Sequence, residues 1–434
     1  MNIQLPVLPE TWSTTRVDRV ASVNARIGWK ALTADEYQTD GYAFLSTPNI
    51  KTKKIDFKNV NFITKERYEE SPELKLQKGD VLLAKDGNTL GIVNIIRSLP
   101  RSATVNGSIA VIRPFGIDPA FLQHLLESRL IQATINLLKG GMGVPHLFQW
   151  DIKRLPVPLP PREEQRRIAD FLDTETARID RHVSLQRQLR STLQEKLDAS
   201  MDAILLRGFE HRPIEPSNQG SPFPTSFKIG RLKNVATRID VGIAEAATHA
   251  YASTGVPLLR STNIKRNGLE TEDLLYIEPI FAERNRTKYV NAGDILTVRT
   301  GNAGVSAVVP PSFDRSQTFT QLITSLSPGN SPEYYCHFLN SSICRQYFDA
   351  VSWGSAQKNI SVPLLAGTPV PIPHSDVQRA IAAEVERIQE QISTLATKLD
   401  RSIDLVQERR QALITAAVTG QFDVSTASGR GVTE

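Results

Sequence analysis

The chain has 434 residues, of which 40% are hydrophobic and 22% are charged, and its formal net charge is +5 at pH 7. This length suffices for two or three domains with buried cores, and no apolar run approaches the ~18 residues of a membrane-spanning helix. The N-terminus lacks the basic start and apolar segment of a signal peptide, and Cys336 and Cys344 alone cannot build a disulfide framework. We therefore expect a cytoplasmic protein.

The first part of the chain predicts a mixed α/β domain followed by one long helix. Apolar runs that end in turn residues predict strands at residues 81–87 and 108–114, and residues 121–138 predict short helices. Residues 163–206 contain neither proline nor glycine, so they predict a single helix of roughly 66 Å at 1.5 Å per residue. The prolines just before it set its start, because proline is tolerated only in the first turn.

The second part of the chain repeats this plan. Residues 294–301 and 305–311 predict strands in the places that correspond to the two strands above, and residues 334–351 predict short helices. Residues 375–419 are again free of proline and glycine. They predict a second long helix, with Ser375 and Asp376 suited to its N-terminus.

Apolar residues on the two long helices predict that the helices pack on each other. In the second helix these residues recur in steps of four and three, as in a coiled-coil seam: Ile381, Val385, Ile388, Ile392, Leu395, Leu399, Val406 and Leu413. The first helix is less regular, with Ile168, Leu172, Ile179, Leu189 and Leu193. We expect an antiparallel coiled coil that acts as a spacer of fixed length.

An internal repeat covers the whole chain. The segment VPLPPREEQRRIADFL at 157–172 returns as VPIPHSDVQRAIAAEV at 370–385, with seven of sixteen positions identical at an offset of 213. Asn49-Ile50 returns as Asn263-Ile264, Gly79-Asp80 as Gly293-Asp294, and Gly87-Asn88 as Gly301-Asn302, all at an offset of 214. One nearly constant offset, kept in order through the chain, indicates a tandem duplication.

The sequence contains no recognisable catalytic motif. It has neither a GxxxxGK[ST] nor a GxGxxG phosphate-binding loop, and no Asn/Asp-Pro-Pro-aromatic segment of an amino-methyltransferase. Residues 73–75 match only the tail of a metal-dependent nuclease motif, and no two histidines have metal-ligand spacing. A metal site of Cys336, His337 and Cys344 is conceivable, but free thiols are favoured.

Basic residues form three local clusters that suit contacts with phosphates, although a solvated surface would also explain them. The clusters are Lys51, Lys53 and Lys54; Arg260, Lys265 and Arg266; and Arg284, Arg286 and Lys288.

With these features the chain resembles the DNA-specificity subunit of type I restriction–modification systems. The resemblance is carried by residues 156–180 and 408–424, and by the glycine-centred segments 79–91 and 293–304. It covers essentially the whole chain, although residues 374–377 depart from the family's PPREE-like junction. It implies a first target-recognition domain at 1–160, a spacer helix at 161–210, a second target-recognition domain at 211–373, a second spacer helix at 374–424 and a flexible tail at 425–434.

The resemblance also implies a function without chemistry in this chain. The subunit would bind a bipartite sequence in double-stranded DNA, with one half-site for each recognition domain. Two modification subunits, which carry S-adenosylmethionine and methylate adenine, would dock on the helical region. Restriction subunits, which use ATP and Mg²⁺, would add translocation and cleavage. No catalytic, cofactor or metal residue is then expected here. A duplicated coiled-coil scaffold that reads no DNA, or an enzyme with unfamiliar motifs, remain the alternatives.

Base-reading side chains should be Arg, Lys, Asn or Gln in loops at strand ends. The candidates in the first domain are Asn49, Lys51, Lys53, Lys85, Asn88 and His146, and those in the second domain are Arg260, Asn263, Lys265, Arg299, Asn302, Trp353, Gln357 and Lys358.

Overall fold

The computed structural model describes residues 6–25, 34–139, 145–207, 227–244, 248–351 and 359–426. The chain divides into two compact units. The first unit contains the residues up to Arg187 and those from Asp400 onward, and the second unit runs from Gln188 to Leu399. Among the described residues, no helix is both long and apolar enough to cross a membrane.

The strands of the first unit form two sheets and one ribbon. Its described strands are β1 (Ser13–Arg16), β2 (Ala21–Ala25), β3 (Tyr42–Leu45), β4 (Asn61–Ile63), β5 (Val81–Ala84), β6 (Val93–Ile95), β7 (Ala103–Val105), β8 (Ile109–Pro114) and β9 (Pro156–Leu159). The four-stranded sheet has the order β2-β8-β5-β6 and is antiparallel. The three-stranded sheet has the order β4-β3-β7, and its β3–β7 pair is parallel. The ribbon pairs β1 with β9.

Helices pack on these sheets around two main apolar cores. The helices of this part of the chain are α1 (Val17–Val20), α2 (Thr47–Ile50), α3 (Lys65–Glu69), α4 (Pro119–Glu127), α5 (Arg129–Leu138), α6 (Gln149–Lys153) and the long α7 (Arg162–Arg207). One core joins the four-stranded sheet to α4 and to the long helices through residues such as Phe121, Leu172 and Ile414. A second core, which includes Leu45, Leu82 and Ile109, lies between the two sheets.

The second unit repeats this architecture. Its described strands are β10 (Lys228–Arg231), β11 (Ala236–Val241), β12 (Tyr251–Ala252), β13 (Val256–Leu259), β14 (Ile264–Lys265), β15 (Gly268–Leu269), β16 (Leu275–Ile277), β17 (Ile295–Thr297), β18 (Ser306–Val308), β19 (Gln317–Thr318), β20 (Leu322–Leu326) and β21 (Pro369–Ile372). Its helices are α8 (Pro279–Arg284), α9 (Pro332–Leu339), α10 (Ser342–Val351), α11 (Val362–Gly367) and the long α12 (Ser375–Val418). The sheet orders are β11-β20-β17-β18 and β12-β16-β13-β19, with a parallel β13–β19 pair and a β10–β21 ribbon.

The sheet orders confirm the duplication but correct one detail of it. The predicted strand at 305–311 was matched with the strand at 108–114. In the structure β18 lies at the edge of its sheet beside β17, as β6 lies beside β5, whereas the central β8 corresponds to β20. The error arose because both segments are short apolar runs, and composition alone cannot distinguish an edge strand from a central one.

The two long helices pack antiparallel, as predicted. In the first unit, Gln186 Nε2 donates to Ser402 Oγ at 2.8 Å, and Arg410 Nε donates to Asp180 Oδ1 at 2.9 Å. Residue numbers therefore fall on α7 as they rise on α12. In the second unit, Gln389 Nε2 lies 3.5 Å from Met201 Sδ in the same antiparallel sense.

Most residues of the predicted seam lie on the packed face of the two helices. Ile168, Leu172, Ile381 and Val385 are buried, and the half-buried members of the predicted seam are Ile179, Leu193, Ile388, Ile392, Leu399, Val406 and Leu413. Leu189 and Leu395 expose 49% and 48% of their surface, so their assignment to a buried seam is wrong.

The spacing explains this correction. On α12 the buried and half-buried residues follow two heptad series, one at Gln378, Val385, Ile392, Leu399, Val406 and Leu413 and the other at Ala382, Gln389, Ala396, Ile403, Arg410 and Ala417. The second series lies one residue beyond the predicted Ile381, Ile388 and Leu395. Leu395 therefore falls on the flank of the packed face.

A buried glutamine fastens each long helix to its domain. Gln165 Oε1 accepts from the backbone N–H of Asp118 at 2.7 Å, and Gln165 Nε2 donates to the carbonyl of Pro160 at 2.8 Å. Asp118 caps α4 by accepting from the backbone N–H groups of Ala120 and Phe121. One side chain thus joins the cap of a domain helix to the proline turn from which α7 starts.

The second junction has the same geometry. Gln378 Oε1 accepts from the backbone N–H of Ser331 at 2.8 Å, and Gln378 Nε2 donates to the carbonyl of Pro373 at 2.9 Å. Ser331 caps α9 through the N–H of Tyr334. The departure from the family's pattern at residues 374–377 therefore leaves this connection intact.

A histidine and a carboxylate face each other at equivalent positions of the two units, but only the first pair is hydrogen-bonded. In the first unit His124 Nε2 of α4 lies 3.0 Å from Asp173 of α7, which also accepts from Arg97 at 2.8 Å. In the second unit His337 Nε2 of α9 lies 3.9 Å from Glu386 of α12. Burial lowers the pKa of His337 to about 4, although nearby Glu333 opposes the shift.

We expect Gln165→Ala to lower the free energy of unfolding by about 1 to 3 kcal/mol. The substitution leaves the half-buried N–H of Asp118 and the buried carbonyl of Pro160 without a partner, which costs roughly that amount. Gln188→Ala on an exposed face of the same helix is the control and should have little effect. Denaturant unfolding measures both, and equal values for the two variants would contradict the assignment.

His337 should make the stability depend on pH. Its pKa is about 4 in the folded protein and about 6.5 when unfolded. The unfolded state therefore binds the proton more readily, so stability is complete above pH 6.5 and falls as the pH decreases towards 4. We expect the His337→Gln variant to lose about 2 kcal/mol less than the unmodified protein between pH 7 and pH 5. Parallel unfolding curves at the two pH values are the measurement, and an unchanged pH dependence would refute the role of His337.

Candidate nucleic-acid interface

An exposed basic loop follows α2 in the first unit. Residues 51–54, here called the basic loop, are all exposed and include Lys51, Lys53 and Lys54. The buried Asn94 holds the loop by donating to the carbonyls of Ile50 at 3.0 Å and Thr52 at 2.7 Å. The loop backbone is therefore fixed while its ammonium groups face outward.

The basic loop borders a cleft of about 990 Å³ between the sheets and the long helices of the first unit. The cations that line the cleft are Lys51, Lys53, Lys54, Arg97, Arg187 and Arg410, and the acids are Glu127, Asp173 and Asp180. Lys53 and Arg410 pair with Asp180, and Arg97 pairs with Asp173. Lys51, Lys54 and Arg187 have no carboxylate partner in the part of the chain that the structure describes.

Asp173 in the cleft is held in its ionised form by its hydrogen-bond partners. Burial alone would raise the pKa of Asp173, but the hydrogen bonds from His124 and Arg97 lower its pKa overall. The cations without a carboxylate partner among the described residues, Lys51, Lys54 and Arg187, therefore remain available to bind phosphates.

Two of the predicted base-reading amides lie inside the fold. Asn49 and Asn263 are buried. Asn49 Oδ1 accepts from the backbone N–H of Ser46, and Asn49 Nδ2 donates to the carbonyl of Asn59. Asn263 makes the equivalent bonds to the N–H of Arg260 and the carbonyl of Glu270. A base contact would break these bonds, so the structure corrects both residues to turn-forming roles.

Lys85 and His146 meet on opposite sides of one carboxylate. Lys85 Nζ donates to Asp86 Oδ2 at 3.0 Å, and the His146 ring hydrogen-bonds the other oxygen of Asp86. Lys85 is buried and His146 is half-buried, whereas Asn88 on the same loop is exposed. Asp86 neutralises the lysine, so Asn88 and the edge of His146 are the accessible polar groups here.

The second unit builds the corresponding place from other side chains. The backbone N–H of Ile360 donates to the carbonyl of Arg299 as that of Leu147 donates to Lys85. The guanidinium of Arg299 donates to Asn359 Oδ1 at 3.0 Å, and Asn302 is exposed. Sequence reasoning missed Asn359, although its offset of 213 from His146 could have found it.

The remaining candidates of the second unit fall into two groups. Arg260 donates to the backbone carbonyl of Asp273, and Lys265 pairs with Glu270 at 3.2 Å. Trp353, Gln357 and Lys358 lie outside the described residues. Arg266 of the predicted basic cluster pairs with Asp198 at 3.4 Å, and burial lowers the pKa of Arg266.

The described residues contain no group of three or more His, Cys, Asp or Glu side chains placed to hold a metal ion. Cys336 and Cys344 are buried free thiols, and burial raises the pKa of Cys336 to about 12. A thiol with such a pKa is not a ready nucleophile at neutral pH.

The family follows from a comparison with known proteins. A family model described as "Type I restriction modification DNA specificity domain" matches residues 9–191 and again 227–414. The chain belongs to this family. Its members are non-catalytic DNA-recognition subunits, and the two matches correspond to the two α/β domains, which are therefore the recognition domains.

Individual relatives are distant but extend over the whole specificity subunit. The EcoKI specificity subunit of Escherichia coli (strain K12) is 23% identical over 426 residues, which cover 96% of this chain and 90% of the relative. The MjaVIII specificity subunit of Methanocaldococcus jannaschii is 20% identical and covers 96% of this chain and 94% of its own. A chain from a structural study of complex assembly and conformational transition of the type I R-M system matches with a TM-score of 0.72 at 18% identity. It covers 96% of this chain and all of its own length, which supports the fold.

Asn49→Ala should lower the free energy of unfolding by about 1 to 2 kcal/mol, because the turn loses its side-chain hydrogen bonds. Asn88→Ala is the matched control in the same domain, and this exposed substitution should change stability by less than about 0.5 kcal/mol. Thermal and denaturant unfolding test the pair. Similar losses for both variants would contradict the structural role given to Asn49.

Proposed function

We propose that this specificity subunit recognises a bipartite, gapped sequence in double-stranded DNA, with one half-site read by each recognition domain. One observation carries the proposal. Two domains of the same plan present different side chains on equivalent loops, namely Asp86 and His146 in the first and Thr300 and Asn359 in the second. Equal scaffolds with unequal loops suit a target whose two halves differ in sequence.

The predicted contacts divide by chemistry into two kinds. Exposed cations such as Lys51, Lys53 and Lys54 suit phosphates, which position a protein on DNA without reading sequence. Exposed amides such as Asn88 and Asn302 suit base edges in the major groove. Base reading is therefore assigned to the loops around Asn88 and Asn302.

We further propose that the chemistry resides in partner subunits. Two modification subunits with S-adenosylmethionine would methylate adenine at the recognised site, and restriction subunits with ATP and Mg²⁺ would translocate and cleave DNA. The absence of a catalytic motif from the sequence supports this division of labour. The assembly would act in the cytoplasm, where the host DNA lies.

The test is single-molecule methylation mapping of host DNA with the gene intact, deleted and restored. Deletion should abolish adenine methylation at one bipartite, gapped motif, and restoration should return it. Exchange of the second recognition domain for that of a relative should change one half of the motif and leave the other half and the gap unchanged. An unchanged methylation map after deletion would contradict the proposal.

A further inference from the structure

Aromatic side chains form a row on the surface of the first recognition domain. The rings of His146 and Phe148 meet edge to face with centroids 4.5 Å apart. Phe148 and Trp150 stack with centroids 6.1 Å apart and an interplanar angle of 20°. The guanidinium of Arg154 lies 5.2 Å from the centre of the Trp150 ring. These four residues are called the aromatic row.

The row is exposed and yet firmly held. Phe148 and Trp150 expose 48% and 54% of their surface. Between them and the core, the fully buried Leu147 donates its backbone N–H to the carbonyl of Lys85, and Gln149 Nε2 donates to the carbonyl of Ala25 at 2.9 Å. Rings that are already ordered lose little conformational entropy when they bind a ligand.

The row lies beside the loop to which base reading is assigned. The His146 ring hydrogen-bonds Asp86, and the backbone N–H of Gly87 donates to the carbonyl of Pro145 at 2.9 Å. These bonds place the exposed Asn88 next to the start of the row. The exposed Arg154 adds positive charge beside it, which suits a polyanionic partner.

Stability of the fold does not explain these aromatic residues. Phe148 precedes α6 at the cap position, where Ser, Thr, Asp and Asn are favoured. The equivalent Ser361 of the second domain does cap its helix, accepting from the N–H of Leu364 at 3.3 Å. Pro363 stands at the position equivalent to Trp150. The first domain therefore carries an exposed ring where the second carries a stabilising cap.

We propose that Phe148 and Trp150 make apolar contacts with the bases of the half-site that the first recognition domain reads. This inference rests on the proposed function and names residues by which the first domain would recognise a different half-site from the second. DNA offers apolar surface as the 5-methyl group of thymine in the major groove and as the faces of unstacked bases. The adjoining amide of Asn88 and the guanidinium of Arg154 favour DNA over a protein partner as the occupant of this surface.

The test uses the full-length subunit assembled with its modification subunits. Phe148→Ala and Trp150→Ala complexes are compared with the unmodified complex for kcat/KM of adenine methylation on the target. The same rates are then measured on a set of targets that carry every single-base change in either half-site. Ile280→Ala, an exposed apolar residue of the second unit, is the control. Phe148→Leu and Trp150→Phe keep apolar bulk if the alanine variants fail to assemble.

The proposal expects a loss that is confined to one half-site. The alanine variants should methylate the target about 10- to 100-fold more slowly and should discriminate less against base changes in that half-site only. The leucine and phenylalanine variants should retain most activity. Replacing thymine by deoxyuridine in that half-site removes the 5-methyl group but keeps the face of the base. If the rings contact the methyl group, the unmodified complex should methylate this target as slowly as the alanine variants methylate the normal one. If the rings contact base faces, its rate should be unchanged.

Two results would overturn the proposal. Unchanged rates and unchanged discrimination would show that the row touches no base. An equal fall in rate on every target, with discrimination intact in both half-sites, would show that the row binds a partner subunit instead. Both results are separable from a failure of the proposed function, because that failure would appear in the unmodified complex as the absence of any bipartite target.

Discussion

The connection between Gln165, Asp118 and Pro160 is the constraint on which the rest of each half depends. A long helix can be fixed to a domain only if the backbone groups buried at the junction find partners. A glutamine in the first turn supplies an acceptor and a donor at once, and it satisfies one N–H of the domain and one carbonyl of the incoming chain. The position of the helix on the domain is thereby tied to the cap of α4.

The residues that survive in both copies of the repeat are those that solve such backbone problems. Gly79 and Gly293 adopt positive φ angles of 92° and 84°, where a side chain would be strained. The aspartates that follow them accept from backbone N–H groups three residues earlier. Asn49 and Asn263 close equivalent turns. At these buried positions identity between the copies marks structure, which explains why Asn49 and Asn263 were poor candidates for base reading.

The predictability of the fold varied with the physical signal available. Long stretches without proline or glycine, such as 163–206 and 375–419, located the helices to within a residue or two of α7 and α12. The packed face at the centre of the helices was not predictable in detail, because apolar spacing favoured the exposed Leu395 over its half-buried neighbour Ala396. The site was predictable as a set of loops, since glycines mark the turns. Its contacts were not, because pairs such as Asp86 with His146 join residues 60 positions apart.

The two units show how one scaffold can carry two specificities. Where backbone groups need partners, the copies are nearly identical, whereas the side chains at equivalent loop positions are free to diverge. The histidine–carboxylate pairs illustrate the intermediate case. His124 and Asp173 are joined by Arg97 into a charged network, while His337 and Glu386 remain 3.9 Å apart without such a cation. The hydrogen bond between the histidine and the carboxylate is thus absent from the second pair, while the junction glutamine still fixes the helix there. Loops such as the one that carries Phe148 can therefore change their chemistry without moving the helices on which the subunit is built.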